Sequence, residues 1–306
     1  MIAGPSMASA PTLPTKASDP SPLKQLEQDG YCILGDMVSD DIIARIDADF
    51  APIFARTPFC TGGFYGERTK RFGRLLLRSG DIAALVQCQT ILDIAQAVLG
   101  PFCDQIQLNL AQAIEIHPGA PAQFPHRDQD MWAAEKGQTE YLLNVMWPLT
   151  PFVRENGATI IWPKSHQAAA LDPEPPKNDP IIAETKPGSA ILFLGSTLHG
   201  AGANITQSAR RAVIISYSLG WLKPYENQWL AYPPDIARHF PAELAALVGY
   251  RQHRPNLGNF EGQCPSILLA GALPDAIGAV DALRPDQQAM LADYLDAQRR
   301  SAGDRD

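Results

Sequence analysis

The sequence has few of the features that mark nucleic-acid-binding, disulfide-stabilised or membrane-spanning proteins. Its 306 residues include 25 Lys or Arg and 33 Asp or Glu, giving a net charge of -8. The sequence contains no cluster of basic residues of the kind that binds the phosphate backbone of a nucleic acid. The five cysteines are scattered without CxxC spacing, which is typical of reduced thiols in a cytosolic protein. We expect no apolar stretch near the ~20 residues that cross a bilayer. The composition therefore predicts a cytoplasmic protein that binds neither nucleic acid nor membrane.

Several common catalytic motifs are also missing. The chain has no GxSxG elbow, no Walker loop, no GxGxxG after a strand and no HEXXH. The last absence argues against the usual helix-borne zinc hydrolase site, and the others argue against the chemistries that those motifs carry.

The middle of the chain is rich in short apolar segments separated by Gly and Pro turns. With 45% apolar residues the chain can bury a sizeable core. Several strands with few helices between them indicate a sandwich or jelly roll. A short strand, YCILGDMV, is predicted ahead of this region, and the strands predicted within it are QIQLNLAQAIEIH, YLLNVMWPLT, GATIIWP, SAILFLG and RAVIISYSLGW.

Helical patterns flank this β-rich core on both sides. DDIIARIDADFAPIF and DIAALVQCQTILDIAQAVLG precede it, and DQQAMLADYLDAQRR lies near the C-terminus. Residues 1–21 are rich in Pro, Ser and Ala and predict a flexible leader, and residues 22–306 predict a single domain. Residues 57–78 and 251–264 have loop composition, and we expect both to border a pocket entrance.

Three residues have the chemistry of a metal site. His126 and Asp128 lie two residues apart, so in an extended segment both side chains point to the same side. His199 follows a predicted strand in a Gly-rich segment, HGAGAN. Two imidazoles and one carboxylate suit a borderline divalent metal such as Fe(II) and leave coordination positions open. Taken alone, each histidine could equally be structural.

The order of three segments, HRD, NGATIIWPKSH and HGAGANITQSAR, resembles the phytanoyl-CoA dioxygenase family of Fe(II)/2-oxoglutarate oxygenases. The resemblance covers roughly residues 23–222 and includes the eleven-residue step from His199 to Arg210. It implies a double-stranded β-helix with helices outside, and Fe(II) held by His126, Asp128 and His199. It also implies that 2-oxoglutarate, the co-substrate used with O2, places its far carboxylate on Arg210.

The same resemblance assigns further residues to the co-substrate. Gln123 and Thr159 match family positions that hold it, and Trp147 matches a position beside it, although a core aromatic explains Trp147 equally well. An arginine before the helices is also implied, and Arg71 and Arg74 both qualify.

Hydrophobic pattern and family spacing disagree about the two adjacent arginines at the start of RRAVIISYSLGW. Arg211 shares its face with the more apolar residues, so pattern alone points Arg211 toward the core. The family spacing selects Arg210, which we therefore expect to face the co-substrate.

The expected function is oxidation of a C–H bond in a small, largely apolar metabolite, with release of succinate and CO2. One branch of the family that the chain resembles replaces the carboxylate ligand with a small residue and halogenates its substrate. Because Asp128 is present here, the resemblance implies hydroxylation instead. Two alternatives stay open: a cupin-like Zn or Mn hydrolase or isomerase on the same three ligands, and a non-catalytic jelly-roll binding module. Family analogy also suggests a homodimer.

Overall fold

A computed structural model describes residues 21–168 and 179–303 of the chain. Its helices are α1 (Pro22–Asp29), α2 (Asp40–Arg56), α3 (Ile82–Val86), α4 (Gln89–Leu99), α5 (Gln228–Ala231), α6 (Pro234–Ala237), α7 (Ala242–Leu247) and α8 (Pro285–Gly303). Its strands are β1 (Tyr31–Leu34), β2 (Thr69–Phe72), β3 (Ile106–Ile116), β4 (Leu142–Pro148), β5 (Thr159–Ile161), β6 (Ile181–Ile182), β7 (Ala190–Leu194), β8 (His199–Ala201) and β9 (Arg210–Leu219).

The strands form two antiparallel sheets that enclose a cavity. The major sheet has six strands in the order β1-β7-β4-β9-β3-β2, and the minor sheet has three in the order β6-β5-β8. The long strands β3 and β9 pair over most of their length, with one irregularity between Leu108 and Leu110. Neighbours in the sheets are mostly distant in sequence, as in a jelly roll, which confirms the predicted mainly β fold with flanking helices.

The major sheet is buried on both faces, which explains why its strands read as almost continuous apolar runs. All seven residues of β4 are buried. Leu143, Val145 and Trp147 belong to the outer core, which packs against the helices. The alternate residues of β4 face the cavity between the sheets.

Helix α2 covers the outer face of the sheet. It begins after Ser39, whose hydroxyl accepts a hydrogen bond from the amide of Ile42 at 3.5 Å. Acidic residues in its first turn interact favourably with the positive end of the helix dipole. Phe50 is fully buried and meets Phe72 of β2 edge to face, with ring centroids 5.2 Å apart. This aromatic contact joins the helix to the edge of the major sheet.

One apolar stretch is longer than the sequence led us to expect. Ile82–Phe102 spans 21 residues with a mean hydropathy of 1.6, so the expectation that no stretch approaches about 20 residues is wrong. In the fold it contains α3 and α4, and residues such as Leu85, Ile91 and Leu99 are fully buried in the outer core. Core packing therefore accounts for the hydropathy of these side chains.

Three short strands were not predicted. β2 lies within residues 57–78, where we expected a surface loop, and it pairs with β3 from Thr69 to Phe72. β6 and β8 contain only two and three residues, too few for a periodic pattern. The predicted leader, apart from residue 21, lies outside the described residues. The same is true of residues 172–178 of the segment DPEPPKNDP (172–180), whose composition predicts a loop.

Tyr217 supplies a test of how the helices are tied to the sheet. Its buried hydroxyl donates to the carbonyl oxygen of Val86, at the end of α3, over 2.6 Å. We expect Tyr217→Phe to lower the free energy of unfolding by about 1–3 kcal/mol, because the Val86 carbonyl is left unpaired in a dry interior. Urea denaturation would measure the change. Tyr294→Phe, at a 59% exposed position, is the control and should change stability by less than ~0.5 kcal/mol. Equal effects would contradict this role.

Candidate metal centre

Three side chains from separate parts of the chain converge at the rim of the cavity. The Nε2 atom of His126 lies 3.4 Å from Oδ1 of Asp128, and the Nε2 atom of His199 lies 3.5 Å from Oδ2 of the same carboxylate. The three candidate ligand atoms lie within 4.8 Å of one another. They therefore surround a single point.

Backbone pairing brings the two histidines together. The amide of His126 donates to the carbonyl of His199 over 2.9 Å, and the amide of His199 donates back over 3.0 Å. The segment before His126 continues this pairing, since the amide of Gln123 donates to the carbonyl of Ala201. Residues 123–126 thus lie along β8 as an irregular extra strand of the minor sheet.

Each imidazole is oriented by its own backbone. The Nδ1 atom of His126 lies 2.9 Å from the carbonyl oxygen of Phe124, and Nδ1 of His199 lies 3.0 Å from that of Thr197. A carbonyl oxygen only accepts, so both Nδ1 atoms carry the proton when the ring is neutral. This tautomer leaves the Nε2 lone pairs directed at the carboxylate side of the site, as metal ligation requires.

The electrostatics favour ligand-ready protonation states. Burial disfavours ionisation of Asp128, but His199, His126 and Arg71 outweigh it and hold its pKa at about 2. Burial lowers the pKa of His199 to about 4 despite the nearby Asp128. Burial acts to lower the pKa of His126, but Asp128 and the carbonyl of Phe124 together have the larger effect. The pKa of His126 is therefore raised above its usual value. A carboxylate and a neutral His199 at neutral pH fit the donor set of a divalent metal with open positions.

Two buried guanidinium groups line the same cavity without a carboxylate partner. Arg210 is 1% exposed; it donates to the carbonyl of Gly157 and lies over the ring of Phe152 at 4.1 Å. Arg71 donates from Nη1 to Gln112 over 3.2 Å. The Nε atoms of both arginines are buried without a hydrogen-bond partner, and no described carboxylate forms an ion pair with either. Burial is the main influence that lowers the pKa of Arg210 to about 9. An anionic ligand would offset this desolvation.

The structure brings most of the predicted co-substrate residues to this cavity. Gln123 and Thr159 both line it, and the Gln123 carboxamide contacts the carbonyl of Phe64 and the amide of Ala201. Arg71 lines it too, whereas Arg74 donates to the carbonyl of Ala231, away from the site. Of the two candidate arginines, only Arg71 is therefore placed to contact a ligand here.

Trp147 is placed elsewhere. It is fully buried in the outer core, on the face of β4 opposite to Asn144 and Met146, which line the cavity. Strand alternation makes this unavoidable, because even-numbered residues of β4 face inward. The expectation that Trp147 lies beside the co-substrate is wrong, and the core-aromatic interpretation holds.

The two adjacent arginines of β9 point to opposite faces. Arg210 enters the cavity, whereas Arg211 donates to Glu115 over 2.7 Å and to Asp47 of α2 over 3.2 Å. The apolar pattern of β9 favoured the opposite arrangement. It failed because both faces of this strand are buried, so apolarity does not identify the inner one.

Other residues of the site were not anticipated. Asn144 donates to Oδ2 of Asp128 over 3.0 Å, and its only signal in the sequence is a lone amide within an apolar strand. The ring of Phe193 lies 4.4 Å from that of His199. At the entrance Tyr225 contacts Tyr65 through their hydroxyl groups. Residues 57–78 supply Phe64, Tyr65 and Arg71 to the cavity, as expected, but none of the residues 251–264 lines it; they border separate surface cavities.

Comparison with known sequences gives one consistent result. The family model described as phytanoyl-CoA dioxygenase matches residues 26–212. The chain is 30% identical to the dioxygenase trt7 of Aspergillus terreus, over 74% of this chain and 82% of that protein. It is 31% identical to the multifunctional dioxygenase ausE of Emericella nidulans, over 74% of this chain and 81% of that protein.

Solved structures with low sequence identity share the fold. The α-ketoglutarate-dependent epimerase SnoN from nogalamycin biosynthesis superposes with a TM-score of 0.55 at 19% identity, covering 67% of this chain and 84% of SnoN. EctD from S. alaskensis, crystallised with Fe, gives 0.53 at 21% identity, covering 68% of this chain and 81% of EctD. These similarities establish the architecture.

The convergence of three ligands predicts that one metal ion binds per chain. We expect the metal-free protein to bind one equivalent of Co(II), and isothermal titration calorimetry measures this binding. Asp128→Ala should abolish measurable uptake at the same concentrations, because it removes the only anionic ligand. Asp130→Ala is the matched control, since Asp130 lies in the same turn but is 60% exposed and directed to Lys136. Stoichiometric uptake by Asp128→Ala would contradict the assignment.

Proposed function

The chain belongs to the phytanoyl-CoA dioxygenase family, and we propose that it oxidises a C–H bond of a small, largely apolar metabolite. In the proposed reaction O2 is divided between two products: one atom enters the metabolite as a hydroxyl group, and the other enters succinate as 2-oxoglutarate loses CO2. The observation that carries the proposal is the placement of His126, Asp128 and His199 in one cavity with the unpaired Arg210.

In this proposal the three rim residues hold Fe(II), which supplies the oxygen chemistry that amino-acid side chains lack. Asp128 supplies the only negative charge of the ligand set. The Nδ1 hydrogen bonds of both histidines fix their ring orientation, so the Nε2 atoms need little rearrangement to bind. Three protein ligands leave positions for the co-substrate and O2.

We assign the far carboxylate of 2-oxoglutarate to Arg210. A buried guanidinium with an unpaired Nε can form two parallel hydrogen bonds with a carboxylate, which also compensates its desolvation. Gln123 and Thr159 line the same cavity and can donate further hydrogen bonds. Arg71, with its own unpaired Nε, adds positive charge that suits a dianion.

The walls of the cavity support an apolar substrate. Asp128 is the only carboxylate among the lining residues, and it belongs to the metal centre. Around it the strands present aliphatic and aromatic side chains, which exclude water and favour apolar groups. These are Leu110, Ile114, Ile116, Leu142, Met146, Phe193 and Ile214. Phe64, Tyr65, Met131 and Tyr225 are partly exposed lining residues and can contact the outer part of a substrate.

The rival interpretations explain less of the cavity. A Zn or Mn hydrolase or isomerase could use the same three ligands, but it gives no reason for two buried guanidinium groups without carboxylate partners. A non-catalytic binding module gives no reason for a complete ligand set with oriented imidazoles. We further propose a cytoplasmic enzyme whose partners are small molecules, and family analogy suggests that it forms a homodimer.

Succinate formation tests the proposed reaction directly. We expect the Fe(II)-loaded enzyme to convert 2-oxoglutarate to succinate slowly without substrate, and faster when a suitable apolar metabolite from a panel is added. Asp128→Ala should lose both activities, and Asp130→Ala should keep them. Chromatographic detection of succinate under air and under nitrogen measures the O2 dependence. Turnover that is equal with Zn(II), or independent of 2-oxoglutarate, would favour the hydrolase or isomerase instead.

The adjacent arginines offer a matched pair for co-substrate binding. We expect Arg210→Gln to raise the 2-oxoglutarate dissociation constant roughly 30-fold or more, since truncating a buried charge pair costs about 2–5 kcal/mol. Arg211→Gln keeps a hydrogen-bonding group near Glu115 and should change the constant much less. Binding is measured with Mn(II) in place of Fe(II) and oxygen excluded, on variants whose folding is checked by circular dichroism. A larger loss in Arg211→Gln would overturn the assignment.

A further inference from the structure

Asn144 is a polar residue at the centre of an apolar strand. It is 1% exposed and lies between Leu142 and Met146 on the cavity face of β4. Burying a carboxamide is costly unless it forms hydrogen bonds. Its side chain donates to Oδ2 of Asp128 over 3.0 Å. This contact links the interior of the major sheet to the candidate metal centre.

The chemistry of the pair fixes which end of the amide faces Asp128. A carboxylate that serves as a metal ligand only accepts hydrogen bonds, and the Asn144 nitrogen lies 3.0 Å from the Oδ2 atom of Asp128. The Asn144 nitrogen must therefore face Oδ2, where it occupies one lone pair. No other described side-chain amide or hydroxyl donates to this carboxylate, so its Oδ1 atom remains available beside Nε2 of His126.

The two partners differ in how firmly the fold holds them. Asp128 begins a single 3-10 turn, Asp128–Met131, and its side chain is 26% exposed. Asn144 belongs to a strand that is paired on both sides, opposite Phe193 of β7 and Ser216 of β9. The hydrogen bond therefore attaches a carboxylate in a short turn to the interior of the sheet.

We propose that Asn144 is a positioning residue that holds the Asp128 carboxylate with Oδ1 directed to the metal. The inference rests on the proposed metal centre and adds a residue that sets its affinity. A ligand that is already oriented loses less conformational freedom on binding, so the hydrogen bond favours metal uptake without touching the metal.

The test measures metal binding without co-substrate or substrate, so any contact between Asn144 and those molecules has no influence. Asn144→Leu preserves the approximate volume and removes the donor. We expect its Co(II) dissociation constant to rise ~10–100-fold, with a changed Co(II) absorption spectrum. Asn144→Ser, whose hydroxyl is too short to replace the amide contact, should show the same direction and serves if Asn144→Leu does not fold.

Ser216→Ala is the matched control. Ser216 lies directly opposite Asn144, is equally buried and polar, and also lines the cavity, but it accepts from Asn109 and has no contact with Asp128. Its Co(II) affinity and spectrum should match those of the unmodified protein. Equal losses in Ser216→Ala and the Asn144 variants would overturn the proposal, because they would indicate a general disturbance of the cavity.

The result also separates this inference from the proposed function. If the unmodified protein and Asp128→Ala bind Co(II) alike, the metal centre itself is wrong. If Asp128→Ala loses the metal while the folded Asn144 variants bind it normally, the centre stands and only the positioning role fails.

Discussion

Two backbone hydrogen bonds between His126 and His199 determine the geometry of the candidate site. They close an isolated antiparallel bridge between residues that are 73 positions apart in the sequence. Because the bridge lies at the edge of the minor sheet, both side chains are presented at the cavity rim, and Asp128 follows two residues later. The placement of the three candidate ligands therefore depends on strand pairing more than on any local motif, and the irregular segment 123–126 completes the minor sheet beside them.

The fold also explains how uncompensated positive charge is kept in the interior. Arg210 is held by a backbone carbonyl and an aromatic ring, neither of which neutralises it. On the other face of β9, Arg211 is neutralised by two carboxylates. Native proteins rarely bury unpaired charges, and those that persist usually serve a ligand. The contrast between neighbours separates a charge that is neutralised within the fold from one that is not.

Much of this arrangement follows from sequence, and the failures have identifiable causes. The long strands β3, β4 and β9 were predicted because long apolar segments are strong local signals, whereas the ligand triad was selected by the family resemblance, since 73 residues separate its two histidines. The face of Trp147 was not, because β4 is buried on both sides and alternation does not say which side is the cavity. The wrong placement of residues 251–264 has a different origin, since loop composition predicts exposure but not which cavity a loop borders. The role of Asn144 is apparent only from its hydrogen bond to Asp128, a contact that no local sequence pattern predicts.

The opposite placement of two adjacent arginines on β9 has a consequence for how this enzyme can change over evolutionary time. Arg210 faces the cavity and Arg211 holds the sheet to α2, so inserting or deleting a single residue in the strand would turn the side chains beyond it to the opposite face. A shift of this kind would leave either the cavity without its guanidinium or Glu115 and Asp47 without theirs, because an alanine flanks the arginine pair on each side. Homologous chains should therefore tolerate substitutions along β9 far better than changes in its length. Insertions and deletions should accumulate in the loops around the entrance, where they can alter which metabolites enter without moving the chemistry.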